Sequence, residues 1–545
     1  MDYDVVIVGA GFGGAVMAAR LGEHLQALGK GHSVLVLDRG IDPTGKFDPE
    51  AAGELNAQGN RFRHSLDPSY LAQFTQIFTD NPGLVETGAA SMNVVAGSGL
   101  GGGSLIYDGV SLRAPAMIFE QQQDGRRLWP AIYTRTALEP YFDRASQELS
   151  VHRLAWTSAE APHWQLATKR DFVFAEGCRR IGATALPLKL ADKDDANEGW
   201  WNSGQRLSGR QDLSKNYLAK ARAAGVSFKT GVDVENVAPN GTGYAVSGTA
   251  RDGKPFAVEC KLLIVAAGAV ASSGLLLRSR GHFTGDRSLE LGGQLGKHLS
   301  SNGDYGVTGI VSDEFHVEGH KGKPMSSFCP SFWPQHQFIL IPFYAAPLHL
   351  ALGQVSTLTK PDDALALGRR STQPREVSGR AEREWGLEYK QLLKSFGTRL
   401  LTMGCLALDA SEGEVVLDDD ERTVGVRWSS TEPSTEARWN AAVDTMRRIY
   451  EGLGGEMFLD NYRKDGTVNT SHPLGGCRMA TEPEHGIVNE HGEHHRNPNL
   501  FVIDGAIIPS ALGVNPSLTI AAVAESIADR LIKGENTSGI AARLG

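Results

Sequence analysis

Gly9-Ala10-Gly11-Phe12-Gly13-Gly14 stands directly after the apolar run Tyr3 to Val8 (YDVVIV) and just ahead of Ala15 to Leu28, whose apolar spacing suits a helix. Ser33 to Leu37 (SVLVL) follows as a second apolar run. Runs this short and continuous predict strands buried on both faces, so the N-terminus spells strand, tight turn, helix, parallel strand. In that register G-x-G-x-x-G predicts a dinucleotide-binding turn. Gly9 permits the turn, Gly11 lets backbone approach a pyrophosphate, and Gly14 lets helix and strand pack closely. The helix N-terminus adds unpaired N–H groups and the positive end of its dipole. Asp38 ends the second strand, with Arg39 beside it, where an acid accepts hydrogen bonds from a ribose. Such an acid favours a free 2′-hydroxyl, hence FAD or NAD over NADP.

A second glycine-rich stretch runs Gly97-Ser98-Gly99-Leu100-Gly101-Gly102-Gly103-Ser104. Its closely spaced backbone N–H groups suit an anion nest. The flanking Val94-Val95 and Leu105-Ile106 predict that it is buried against something rather than solvated. Near the C-terminus, Ser471-His472-Pro473-Leu474-Gly475-Gly476-Cys477 sets a histidine before a rigid, glycine-rich turn, and Gly513-Val514-Asn515-Pro516 leads into a final helix. An imidazole with its ordinary pKa of ~6.5 takes a hydroxyl proton near neutral pH. An asparagine amide both donates to and accepts from an oxygen, and the following proline holds Asn515 extended.

At 545 residues the chain exceeds one ordinary core. Nucleotide-type signals recur with sequence of different character between them. We therefore expect an α/β fold (α+β overall) with a Rossmann-like cofactor domain built from 1–40, 91–115, 226–305 and 465–545. A second, discontinuous domain with an antiparallel sheet would take 41–90, 116–225 and 306–464. Further expected elements are a strand over Val226 to Val237, a loop over Lys189 to Ser208, a helix over Ser434 to Leu453 and another over Leu518 to Leu531. The net charge is -9 and no Lys/Arg-rich run occurs, so nucleic acid is not an expected partner. Cys178, Cys260, Cys329, Cys405 and Cys477 are scattered and lack CxxC spacing, against a disulfide framework or zinc site. Phe338 to Leu352 is broken by Pro342 and Pro347 and falls short of the ~20 apolar residues of a membrane span, so no integral span is expected. The chain as given reads as cytoplasmic; a removed export signal would make it secreted or periplasmic.

Taken together, Gly9 to Gly14, Gly97 to Ser104, Leu262 to Gly268, His472 to Gly476 and Asn515-Pro516 resemble the glucose–methanol–choline (GMC) oxidoreductases. The branch most similar is that of the cholesterol oxidases, through His-Pro-Leu-Gly-Gly-Cys and Gly-Val-Asn-Pro. The resemblance implies a bound FAD and oxidation of an alcohol to a carbonyl by hydride transfer to flavin N5. By carry-over, Asp38 holds the adenosine ribose and Gly11 lies against the pyrophosphate. Val234 meets the adenine through its backbone, and Gly101, Gly102, Gly103 and Ser104 approach the flavin. Asp504 and Gly505 lie by the ribityl chain, and Asn515 and Pro516 by the flavin. His472 and Asn515 face the substrate hydroxyl. An apolar alcohol, sterol-like or long-chain, is the expected substrate, with oxygen or another acceptor reoxidising the flavin.

Departures from the family pattern temper that picture. Ile106-Tyr107-Asp108 occupies the region near the flavin edge where the family often has Asn, which makes Tyr107 a candidate substrate contact. Arg399 aligns where cholesterol oxidases carry the glutamate that isomerises the product; a guanidinium is no such base, so isomerase activity is not expected. Arg399 either meets a carboxylate or polar group of a substrate or forms a structural ion pair. The apolar pocket would be walled by parts of Phe338 to Leu352 and Phe396 to Leu408, with Trp200, Trp201 or Phe332. Three rivals stand beside alcohol oxidation. One is a lyase or decarboxylase of the same fold, and another a protein that keeps FAD without turnover. The third is a metal protein using His485, His491, His494 and His495, whose polar surroundings favour a solvated turn, so no metal is expected.

Overall fold

A computed structural model describes residues 1–29, 33–42, 44, 75–78, 92–153, 168–193, 209–319, 321–343, 398–419, 421–428, 432–457, 468–534 and 539–545. The apolar runs at the N-terminus form the centre of a seven-stranded sheet. Tyr3–Val8 lies parallel between Val34–Asp38 and the inner half of Pro255–Val265. Val5, Val6 and Ile7 are fully buried, as continuous β-branched runs covered on both faces require. Ser227–Thr230 extends the sheet parallel to Val34–Asp38, and Leu500–Val502 adds in parallel to Pro255–Val265. Beyond its parallel part, Pro255–Val265 continues into an antiparallel meander with Gly243–Ala250 and Val232–Asn240. The expected mixed α/β class is found.

The single strand expected over Val226 to Val237 is two strands, Ser227–Thr230 and Val232–Asn240. Gly231, at φ +68, breaks the strand between them, and they join the sheet at its two ends. Within the loop expected over Lys189 to Ser208, Lys189–Ala191 is a strand paired with Val151–Arg153; residues 194–208 lie outside the described residues.

A second, four-stranded sheet is wholly antiparallel, in the order Phe338–Phe343, Leu400–Ala407, Tyr305–Ile310, Glu456–Met457. Helix Pro433–Gly452 covers it. Its Trp439 is fully buried, stacks on Tyr305 and donates its indole N–H to Gly303 O, while Tyr450 donates to Leu401 O. Helix Phe12–Ala27 packs against the C-terminal helix Ser517–Lys533. Between them the fully buried Glu525 accepts from Arg20 at 2.7 Å and Tyr217 at 2.8 Å, which neutralises a charge that would otherwise be costly to bury. No described helix is long and apolar enough to cross a membrane.

Candidate functional site

One elongated cavity of about 550 Å³ runs from the carboxyl end of the parallel strands to the C-terminal His-Pro and Asn-Pro segments. Its floor is the first glycine turn. Gly9 sits at φ +99, and a Cβ there would lie 2.4 Å from Ala266 O. Gly14 brings the helix onto the turn, since its Cβ would lie 2.0 Å from Gly9 O. Gly13 has a similar close approach, 1.7 Å to Ile503 O. Gly11 differs from all three: nothing lies within 4 Å of its Cβ position, and it lines the cavity. The helix that begins there has no side-chain cap and no acid in its first turn, which leaves its positive end to a ligand.

The second glycine stretch is pressed onto the first. Gly101 N donates to Ala10 O at 3.2 Å, and a Cβ on Gly102 would lie 2.7 Å from Gly11 Cα. Gly97, Gly102 and Gly103 line the cavity, and Gly103 has open space at its Cβ position. Gly101 and Ser104 lie behind the lining. The Ser104 hydroxyl is spent within the protein, donating to Gly101 O and accepting from Leu213 N.

Asp38 and Arg39 line the other end, with Val234. The Asp38 carboxylate accepts from Ala10 N at 3.1 Å and Gly40 N at 2.9 Å, so it staples the glycine turn as well as facing the cavity. Burial pushes its pKa up, against these N–H groups and the nearby Arg39. Val234 O accepts from Arg278, whose guanidinium also reaches Arg422 O and ties that residue to this edge. Asp504 is buried on the cavity wall and accepts from Gly268 N, Ser272 Oγ and Ala506 N, which holds the N-terminus of helix Ala269–Ser279 in place. Gly505 O accepts from Gly475 N, joining the Asp-Gly and His-Pro segments.

At the far end His472 and Asn515 meet. Asn515 Nδ2 lies 3.2 Å from His472 Nε2. Asn515 Oδ1 is buried and has no protein partner among the described residues. Pro516 then starts the C-terminal helix. Sequence reasoning missed the third member of this group, Asp304, whose two carboxylate oxygens each lie 2.8 Å from His472 Nδ1. Asp304 stands at the mouth of strand Tyr305–Ile310, 168 residues from His472. Asp108 also lines this end; burial pushes its carboxyl up to about 6, against the opposing pull of Arg210, Arg170 and His472.

Tyr107 lines the cavity with its ring, packed edge-on against Phe12, and its hydroxyl is donated to Gln211 O. Arg399 is not among the lining residues: it forms an ion pair with the exposed Asp313. Phe332 stacks on Phe338 away from the cavity lining, and Trp200 and Trp201 lie outside the described residues. Of the segments expected to wall an apolar pocket, Phe338–Phe343 and Leu400–Ala407 are core strands of the antiparallel sheet; 344–352 and 396–397 lie outside the described residues. Among the described residues no three of His, Cys, Asp or Glu are placed to hold a metal ion, and all five cysteines are free and buried.

Family patterns described as GMC oxidoreductase match residues 3–300 and 409–524. The chain is 26% identical to a cholesterol oxidase of Mycobacterium tuberculosis, over 97% of this chain and 90% of that one. It is 22% identical to a long-chain-alcohol oxidase of Arabidopsis thaliana, over 97% of this chain and 67% of that one. Its fold is similar to that of pyridoxine 4-oxidase from Mesorbium loti, with a TM-score of 0.63, 18% identity, and coverage of 97% of this chain and 99% of the other.

Proposed function

Because the chain belongs to the GMC oxidoreductase family, we propose that it oxidises an apolar alcohol, sterol-like or long-chain, to a carbonyl, with FAD as cofactor and His472 as base. The observation that carries this reading is the pairing of the His472 imidazole with the Asn515 amide across the end of the cavity. Asn515 Nδ2 lies 3.2 Å from His472 Nε2. A substrate hydroxyl entering between them would accept from Nδ2 and donate to Nε2, replacing that bond with two better directed ones. As the hydroxyl proton passes to Nε2, Asn515 stabilises the developing alkoxide. Asn515 Oδ1 is a second cue, because a buried acceptor without a donor costs roughly 1–3 kcal/mol until a ligand supplies one.

FAD fits the rest of the cavity. Gly11 and Gly103 leave open backbone for a pyrophosphate beside an uncapped helix end, with Gly9, Gly97, Gly101 and Gly102 shaping the turns. In this reading Asp38 and Arg39 take the adenosine ribose, Val234 the adenine, Asp504 and Gly505 the ribityl chain, and Pro516 the ring. When bound, FAD supplies the two-electron acceptor for the hydride. The domain division expected from the sequence goes with this reading, the cofactor segments being those that build the parallel sheet and its glycine turns. The lyase or decarboxylase alternative leaned on Arg399, and that guanidinium pairs with Asp313 instead of lining the cavity.

The test is anaerobic mixing of FAD-loaded protein with a 3β-hydroxysterol, long-chain primary alcohols or aromatic alcohols while the flavin absorbance is followed. One class should bleach the flavin, and air readmitted afterwards reveals whether oxygen is the acceptor. His472→Ala should slow bleaching by roughly 100- to 10,000-fold with FAD still bound. The reading fails if dithionite reduces the flavin and no alcohol does, or if His472→Ala reduces it as fast.

A further inference from the structure

The turn Ser300–Asp304 touches His472 and the loop that immediately precedes Asn515. Asp409 holds it: Oδ1 accepts from Ser300 Oγ at 2.7 Å, and Oδ2 accepts from Ser301 N and Ser301 Oγ, each at 2.8 Å. Asn302, fully buried and at φ +57, points into the loop before Asn515. Its Oδ1 accepts from Leu512 N at 2.8 Å and Gly513 N at 3.0 Å, and its Nδ2 donates to Val514 O at 2.8 Å. Ser300 and Leu474 exchange backbone hydrogen bonds, which fixes the same turn to the segment after His472. Two residues beyond Asn302, Asp304 reaches His472 Nδ1 at 2.8 Å.

We propose that Asp304 is a positioning residue that keeps the ring proton of His472 on Nδ1, so that Nε2 faces the cavity as a bare acceptor. The inference rests on the alcohol-oxidation reading for its purpose, though its tautomer claim stands alone. A carboxylate has only acceptors to offer, so the imidazole must donate from Nδ1. Asn515 imposes the same choice from the other side, since its amide N–H needs a lone pair on Nε2. Asp304 cannot swing away easily, because Oδ2 also accepts from Ser471 N at 3.1 Å and lies 2.8 Å from Thr470 Oγ. When the substrate proton reaches Nε2 the ring becomes a cation, and the same carboxylate then faces a full positive charge across a short hydrogen bond. The step balances: the hydroxyl proton moves to Nε2, the O–H bonding pair becomes the second bond of the carbonyl, the Nδ1 proton stays in place, and the hydride would carry the C–H bonding pair to the two-electron acceptor that FAD supplies.

The test uses protein labelled with ¹⁵N in histidine, FAD-loaded and FAD-free, with the His472 signals assigned through His472→Asn. His472 should carry its proton on Nδ1 in both forms. In Asp304→Asn an amide NH₂ replaces one of the two oxygens that face Nδ1, and the proton should shift at least in part to Nε2. Flavin reduction by the alcohol should then fall roughly 100-fold, mainly in kcat. A proton that stays wholly on Nδ1 in this variant overturns the proposal, since Asn515 would then hold the tautomer without Asp304. A proton on Nε2 in the unaltered protein overturns the proposal without any variant. So does a reversed tautomer with undiminished flavin reduction. If no alcohol reduces the flavin, the function reading falls, and the tautomer result still decides the role of Asp304.

Discussion

A Cβ placed on Gly102 would come within 2.7 Å of the Cα of Gly11, so the two glycine-rich segments meet backbone to backbone beneath the cavity. The glycines around that contact do different work, and alanine substitutions should separate them. Gly11→Ala meets no protein atom and keeps an allowed φ of -73, so the FAD-free protein should melt unchanged. FAD affinity should drop by at least about tenfold, the equivalent of one lost close contact of about 1.4 kcal/mol. Gly102→Ala adds a steric clash to a left-handed φ of +49 and should destabilise the fold by about 1–3 kcal/mol as well as weaken FAD. Gly13→Ala puts its methyl 1.7 Å from Ile503 O and should prevent folding. Thermal melts and FAD titration of the three variants check the order; a melting loss in Gly11→Ala would contradict it.

Asn515 allows stability and chemistry to be pulled apart. Its Oδ1 is a buried acceptor without a partner among the described residues, so removing it relieves a cost that offsets the lost hydrogen bond from Nδ2 to His472 Nε2. Asn515→Ala should leave the FAD-free protein within about 1 kcal/mol of the parent in urea. Flavin reduction should nevertheless slow by roughly 100-fold, the usual loss of a donor aimed at developing negative charge. A large stability loss would mean that the amide serves the fold.

Arg399 makes the opposite case. Its partner Asp313 is 90% exposed, and pairs with so exposed a member contribute between about 0 and 1 kcal/mol. Arg399→Ala should leave the kinetics with any alcohol unchanged, and Asp313→Ala should leave the denaturation midpoint nearly unchanged. Loss of activity confined to acidic substrates would restore the carboxylate-binding alternative.

Local signals explain what the sequence disclosed. Tyr3–Val8, the glycine turn and Val34–Asp38 are legible because burial on both faces leaves a continuous apolar run and the turn needs glycine. His472 and Asn515 are legible through their Pro and Gly neighbours. Asp304 is not, because only the antiparallel pairing of Tyr305–Ile310 with Leu400–Ala407 and the anchored turn before it bring it to a histidine 168 residues away. The split of Val226 to Val237 escaped for a related reason: the apolar pattern on both sides of Gly231 is continuous, and only its left-handed backbone parts the strands. Gly101 and Ser104 read as flavin neighbours from their motif, whereas the engagement of the Ser104 hydroxyl depends on Leu213 N, a partner that spacing cannot reveal.

Asp108 should give the site a pH signature. Its carboxyl is raised from 3.8 to about 6, chiefly by burial, with Arg210, Arg170 and His472 pulling the other way. The folded pKa thus lies above the unfolded value. The stability this group contributes is fully present below about 3.8 and is lost as pH rises through about 6. Asparagine mimics the protonated acid, so Asp108→Asn should match the parent protein near pH ~4 and exceed it above pH ~7, by at most about 3 kcal/mol. Urea unfolding of the FAD-free protein across that interval measures the difference directly. A gain that is the same at both ends would show that packing, and not the half-buried charge facing the cavity, sets the effect.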